Sequence, residues 1–227
     1  MQLTRENERS LMLRINAPES AELSQQLQWL VEQLQTSEAL GLLDCVAGFN
    51  TVLVVFDPLL TDHASMELCL TTLLNDWQNT SVQHIGREHV IPVYYDFSPD
   101  WDLLTTAETL KITPEYLIEQ HQNQQFRVCV IGFAPGFAYL GHMPDAYRIA
   151  RRSTPRPRVP AGAVALAETM TAVYPTASPG GWRIIGHTPA SLFQPFDLKR
   201  EDPCQFRVGD SVRFECLSQQ QWQDANA

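Results

Sequence analysis

The 227-residue sequence predicts an α+β protein built from two small domains. Its first third carries two helical stripes of identical spacing, interleaved with short apolar runs. That is a split β-α-β, ferredoxin-like plan in which two helices cover one sheet face. From Phe126 onward the pattern changes to short β-rich runs separated by Gly/Pro turns, as in a small barrel or sandwich. A chain of this length can bury one large core or two modest ones, and the change of pattern favours two.

Residues 10–15 read as a strand before the first helix. Leu23, Leu27, Leu30, Val31 and Leu34 follow i, i+4, i+7, i+8, i+11, and Met66, Leu70, Leu73, Leu74 and Trp77 repeat that spacing 43 residues later. Residues 42–46 and 51–56 read as strands joined around Gly48-Phe49-Asn50. A fourth strand would complete the sheet. Residues 90–95 are the stronger candidate, although they could instead open the second domain. The boundary falls near Gly86, after the polar stretch 78–84, giving domains 1–86 and 87–218 and a polar, frayed tail 219–227. Residues 101–122 read as helical, with Pro114 starting a second short helix after Thr113. The β-rich runs are 126–133, 159–166, 171–174, 182–185 and 211–217, the last preceded by a tight turn at Val208-Gly209-Asp210.

Composition narrows the function. The net charge of −10 argues against general nucleic-acid binding, which needs a broad basic face. The five cysteines are widely spaced without a CxxC pair, so neither a disulfide framework nor a zinc site is expected, and a reducing cytoplasm fits best. The N-terminus lacks the apolar run of a signal peptide, and no apolar stretch reaches bilayer-spanning length, so no membrane partner is expected.

Charge is distributed unevenly. Residues 132–187 hold seven of the 11 glycines, seven of the 15 prolines, six arginines and only two acids, Asp145 and Glu168, so they carry +4 and leave −14 to the rest. Such a reversal among residues that shape irregular backbone suggests a site for a small anion. Arg148, Arg151, Arg152, Arg156 and Arg158 are its densest part, with no acid from Ala146 to Ala167. Pro155, Pro157 and Pro160 stiffen the strip, which favours Arg151, Arg152 and Arg156 as anion contacts over a merely solvated face.

In Gly132-Phe133-Ala134-Pro135-Gly136-Phe137-Ala138-Tyr139-Leu140-Gly141, glycine permits close backbone approach and the aromatics Phe133, Phe137 and Tyr139 could wall a pocket; a packed barrel corner is the alternative. Tyr174, Thr176 and Ser178 offer hydroxyls beside the turn Pro179-Gly180-Gly181, either to orient a polar substrate or as structural groups. His187, at a strand end, could move protons or be a satisfied structural histidine; His142 is a weaker candidate. HxH, HExxH and carboxylate-rich signatures are absent, so no protein-bound metal is predicted. Without GxxxxGK[ST] there is no recognisable ATP site on the chain itself, and without GxSxG no nucleophile-elbow serine.

Together, Gly132-Phe133-x-Pro135-Gly136-Phe137-x-Tyr139-Leu140, Arg151-Arg152 with Pro155-Arg156, Val159-Pro160-Ala161-Gly162, Tyr174-Pro175, and Ser178-Pro179-Gly180-Gly181-Trp182-x-x-Ile185-Gly186-x-Thr188 resemble the 5-oxoprolinase B-subunit family. That family is also called allophanate hydrolase subunit 1, the sporulation-kinase inhibitor family, and carboxyltransferase subdomain C/D. The match runs from about Ile91 to Phe214, with weaker agreement at Val46-Ala47-Gly48-Phe49-Asn50. The resemblance implies an N-terminal α+β domain followed by a cyclophilin-like β-barrel. It also implies a partner, the family's C subunit. The two together would use ATP and Mg to activate 5-oxoproline before ring opening to glutamate is completed by the A subunit; the chain alone would be inactive. Arg151, Arg152 and Arg156 would then hold carboxylate or phosphoryl oxygens, with Pro135, Gly136, Phe137, Tyr139, Gly162, Gly180 and Gly181 shaping the substrate site. Tyr174 and Ser178 would position the ring and His187 would carry protons. Two other readings follow from the resemblance: a carboxyltransferase half acting on urea or a related amide with biotin carried by another protein, and a non-catalytic histidine-kinase inhibitor. The chain departs from the family pattern at residues 163–168, 170–172 and Ala138, where glycines, Gln-Thr-Gly and proline are usual.

Overall fold

The computed structural model describes residues 1–37, 39–77, 86–191 and 204–225. The chain divides into two compact units, Met1–Ile85 and Gly86–Ala227. The polar stretch 78–84 lies outside the described residues.

The first unit contains β1 (Gln2–Asn7), β2 (Ser10–Arg14), α1 (Ala21–Thr36), β3 (Leu42–Ala47), β4 (Thr51–Phe56) and α2 (His63–Trp77). Helix α1 starts where the Leu23 N–H donates to Ser20 Oγ at 3.1 Å, satisfying one of the free donors of the first turn. Its stripe is buried as the spacing requires: Leu27, Leu30 and Leu34 are fully enclosed against Leu11, Leu13, Val52, Val54 and Phe56 of the sheet. Truncating one of these leucines to alanine would cost about 2–5 kcal/mol.

The sheet order is β1-β2-β4-β3, every pair antiparallel. The fourth position is therefore filled by the N-terminal strand and not by residues 90–95, which belong to the second unit. A short hairpin places β1 beside β2 at small loop-closure cost. As a polar edge strand, Gln-Leu-Thr-Arg-Glu-Asn carries no apolar alternation to betray it.

The second unit contains β5 (Glu88–Tyr95), α3 (Leu103–Leu110), α4 (Pro114–Asn123), β6 (Phe126–Ile131), β7 (Ala138–Gly141), β8 (Arg156–Val159), β9 (Ala163–Ala167), β10 (Met170–Val173), β11 (Ser178–Gly180), β12 (Arg183–His187), β13 (Ser211–Cys216) and α5 (Gln219–Ala225). Seven strands close into a barrel in the order β10-β7-β6-β13-β5-β12-β9, while β8 and β11 form a separate two-stranded ribbon. Pro114 opens α4 as expected, with the Tyr116 N–H donating to Thr113 Oγ1 at 3.2 Å.

The expected single run 159–166 is two strands. Gly162, at φ +80°, turns the chain so tightly that a Cβ there would lie 2.4 Å from the Thr188 carbonyl oxygen. The residues of β7 and β11 read as loop because four- and three-residue strands give no measurable alternation. The tail expected to fray is instead helix α5 from Gln219 to Ala225. Ser218 and Gln221 cap it reciprocally, Ser218 N–H to Gln221 Oε1 at 2.8 Å and Gln221 N–H to Ser218 Oγ at 3.3 Å, and Trp222 stacks on Tyr94 with centroids 5.6 Å apart. Among the described residues no helix is long and apolar enough to cross a membrane.

Alternation along β9 sorts the barrel wall. Val164 and Leu166 join Ile91, Val93 and Phe214 in one core, whereas Ala163, Ala165 and Ala167 face a second cluster holding Phe137, Tyr174, Trp182 and Ile184. Small alanines leave room for the aromatics, which come from the segments singled out in the sequence.

Candidate functional site

The arginine strip is organised by a carboxylate that lies far upstream. Asp102 precedes α3 but does not cap it; its side chain is turned to β12 and the strip. Asp102 Oδ2 accepts from the Ile184 N–H at 2.8 Å and from Arg156 Nη1 at 2.9 Å, while Oδ1 accepts from Arg152 Nη1. Arg156 also donates to the Asp100 carbonyl at 2.8 Å and lies over the Trp101 ring at 5.4 Å. Asp102 is 2% exposed, and a carboxylate so desolvated needs charged donors. Arg152 and Arg156, expected as free anion contacts, are therefore engaged by an internal anion. The absence of acids from 146 to 167 holds along the chain but not in space, because β12 brings Asp102 to the strip.

The other arginines divide similarly. Arg148 pairs with Asp145 at 2.6 Å and Glu168 at 3.3 Å, and Arg183 Nε donates to the Ala150 carbonyl at 2.9 Å. Among the described residues Arg151 and Arg158 are exposed and have no carboxylate partner. Arg151 is held 5.9 Å from the Trp182 ring centroid, so the available cation sits beside the aromatic cluster.

Phe137 is the hub of that cluster, 1% exposed, with Phe133, Tyr139, Tyr174 and Trp182 rings at 5.2, 5.0, 5.3 and 5.8 Å. The loop before it is a tight turn: Phe137 N–H donates to the Ala134 carbonyl at 2.9 Å, Pro135 leads the bend, and Gly136 takes φ +80°. Tyr174 is buried and its hydroxyl lies against Gly180, where a Cβ would come within 2.2 Å of Oη. Burial raises the Tyr174 pKa, partly opposed by the Trp182 N–H and by nearby Arg151. Gly181 accepts from the Arg152 N–H at 2.7 Å, and Gly162 N–H donates to the Tyr174 carbonyl at 2.8 Å. The motif glycines thus lock the turns around Tyr174. Ser178 Oγ is buried without a hydrogen-bond partner among the described residues.

His187 ends β12 at 9% exposure, its Nε2 buried, without a hydrogen-bond partner among the described residues and 3.9 Å from Asp96 Oδ2. Burial holds its pKa below the ordinary histidine value, against the opposing pull of Asp96. Trp101 meets it edge-on at 4.8 Å and Trp222 lies at 6.1 Å. Trp101 therefore touches both His187 and Arg156, while no hydrogen bond among the described residues joins His187 to Tyr174 or Ser178. His142 Nδ1 bonds Thr169 Oγ1 at 3.0 Å, and its buried Nε2 has no hydrogen-bond partner among the described residues.

The residues missed from sequence, Asp96, Trp101 and Asp102, all come from the segment between β5 and α3. Its run of three aspartates and a tryptophan after an apolar strand was a readable sign of partners for the arginines. At the departing positions, Glu168 itself takes φ +52° in the β9–β10 turn, and its backbone exchanges hydrogen bonds with Ile149 at 3.0 and 2.7 Å. The turn survives without glycine.

Residues 1–206 match the family model for the carboxyltransferase domain, subdomains C and D. A relative from Haemophilus influenzae, named as the B subunit of 5-oxoprolinase, is 34% identical over 92% of this chain and 94% of its own. The chain belongs to the 5-oxoprolinase B-subunit family. A second member of that name, from Escherichia coli O157:H7, is 36% identical over 77% of this chain and 78% of its own. Among solved structures, the family fold recurs in the protein TTHA0988 with a TM-score of 0.79 and 34% identity. This chain, covered to 92%, spans only 40% of that protein's length. The Kluyveromyces lactis urea carboxylase shares the fold alone, with a TM-score of 0.80 at 16% identity, covering 98% of this chain and 22% of that enzyme.

Proposed function

We propose that the chain is the B subunit of an ATP-dependent 5-oxoprolinase, inactive alone, which works with a C subunit to activate 5-oxoproline for hydrolysis to glutamate by the A subunit. The observation that carries the reading is Arg151: in a strip whose other central guanidiniums are consumed by Asp102, it alone is held exposed beside an aromatic surface. A lactam bearing one carboxylate presents the matching chemistry, an anion for the guanidinium fork and a flat ring for the half-buried Tyr139. His187, neutral at physiological pH and backed by Asp96, is the proton carrier.

ATP with Mg fits this chain poorly. Arg152 and Arg156 are committed to Asp102, and Gly132 and Phe137 spend their N–H groups within the loop. The nucleotide is accordingly assigned to the partner polypeptides.

The test is to copurify the chain with its C subunit, supply the A subunit, ATP and Mg, and measure glutamate from 5-oxoproline. Failure of the complete mixture to release glutamate overturns the reading. A strict requirement for a biotinylated carrier protein would replace it with the amide carboxyltransferase.

A further inference from the structure

The most exposed aromatic among the described residues is Phe133, with 64% of its surface free. It is also held at φ +73°, a backbone region that bulky residues avoid. The ring is not loose. It meets the buried Phe137 edge-on at 5.2 Å, and the Gly132 N–H to Phe137 carbonyl bond (3.0 Å) closes the loop beneath it. Next to it at Gly132 the surface is bare, with nothing within 4 Å of where a Cβ would be. Phe137 also touches Trp182, over which Arg151 lies, so an exposed apolar ring and an uncompensated cation share one rigid platform.

We propose that Phe133 and Arg151 form the docking face for the partner polypeptide, and that the partner presents an apolar socket rimmed by carboxylates, which meets one edge of the Arg151 guanidinium and leaves the other edge to the substrate carboxylate at the same interface. The inference rests on the reading that this chain is one part of a multi-subunit enzyme, and it names the face and the chemistry of the contact. A ring standing free on a stiff loop is a knob, and a knob is completed by a macromolecular socket, whereas small ligands are gripped by concave sites. Charge selects the occupant. The chain is −10 overall, but residues 132–187 are +4; an acidic rim is attracted to this face and repelled by the rest. A second copy docking through this same face would set one basic face against another, which disfavours self-association here.

Glycine separates docking from structure at this position, because it adopts a left-handed φ without strain. Use calorimetry to titrate the purified chain against its C subunit. Phe133→Gly should weaken Kd at least roughly 30-fold, the scale of a buried aromatic anchor, while shifting the thermal midpoint by no more than about 3 °C. Arg151→Glu should weaken it roughly tenfold or more, with a loss that shrinks as salt rises. Binding by Phe133→Gly within about threefold of wild type overturns the proposal, as does a fall in midpoint beyond about 8 °C, which would make the ring a structural plug. A wild-type homodimer that Phe133→Gly abolishes also overturns it by giving the face to a second copy. If the wild-type chain forms no complex with the C subunit, the multi-subunit reading itself fails; a complex indifferent to both variants sinks this inference alone.

Discussion

Removing Asp102 separates a structural arginine strip from a binding one. In Asp102→Ala, Arg152 and Arg156, whose side chains are 34% and 16% exposed, lose their shared carboxylate, and the buried Ile184 N–H loses its acceptor. Breaking a fully buried pair costs about 3–5 kcal/mol. Both guanidiniums reach some solvent, which reduces that to about 2–3 kcal/mol, and the orphaned N–H adds about 1 kcal/mol. The sum, about 3–4 kcal/mol, corresponds to a fall in thermal midpoint of roughly 6–16 °C for a domain of this size. Asp102→Asn keeps an acceptor for Ile184 and should lie between wild type and alanine. Thermal unfolding followed by circular dichroism measures the loss. Citrate or sulfate gives a second readout: the freed guanidiniums of Asp102→Ala should bind the anion and regain part of the lost midpoint, whereas wild type gains little. An alanine variant melting within about 2 °C of wild type would refute the claim that Asp102 organises the strip.

Three further outcomes follow from the geometry. His121, unremarked in the sequence, is fully buried, its Nδ1 accepting from Tyr95 Oη at 2.7 Å and its Nε2–H donating to Thr171 Oγ1 at 2.9 Å, while that hydroxyl donates to the Ala165 carbonyl at 3.2 Å. Burial depresses its pKa to about 3, so between there and the unfolded value of about 6.5 the unfolded chain binds the extra proton; the stability is full above that value and falls with pH by up to about 1.4 kcal/mol per unit. Urea unfolding of wild type and His121→Phe across pH 4–7 should show the shallower slope in the variant, and equal slopes would refute the assignment. Gly180→Ala should lower the thermal midpoint by roughly 5 °C or more, because its Cβ would strike Tyr174 Oη, whereas Gly181→Ala, whose nearest neighbour would be 3.7 Å away, should melt near wild type; equal midpoints would contradict the packing. Trp222→Ala should uncover His187, raising its pKa toward the ordinary value in an NMR titration and speeding its carbethoxylation; an unchanged titration would show that α5 does not shield it.

Much of the architecture was legible because burial imposes period. The leucine stripes of α1 and α2, the β3–β4 pair and the Thr113-Pro114 helix start all lie where spacing and capping chemistry place them. The elements that escaped are those without apolar contrast: the polar edge strand β1, the short strands β7 and β11, and α5, whose helix depends on a two-residue cap and one stacked tryptophan. The site divides the same way. Arg151, Tyr174, Ser178 and His187 could be picked out by residue type and neighbourhood, but which arginine is free depends on Asp102, 50 residues before Arg152 and 54 before Arg156.

The sequence by itself determined the two-part α+β plan, the family through five ordered motifs, and the concentration of positive charge and glycine in one stretch, because each of these is a property of neighbours along the chain. Only the tertiary structure decided that two arginines serve the fold, that the motif glycines make room for Tyr174 and Thr188, and that Phe133 and Arg151 remain outward. Those outcomes depend on which groups barrel closure brings within hydrogen-bonding and van der Waals distance, and charge neutralisation acts through space regardless of separation in sequence.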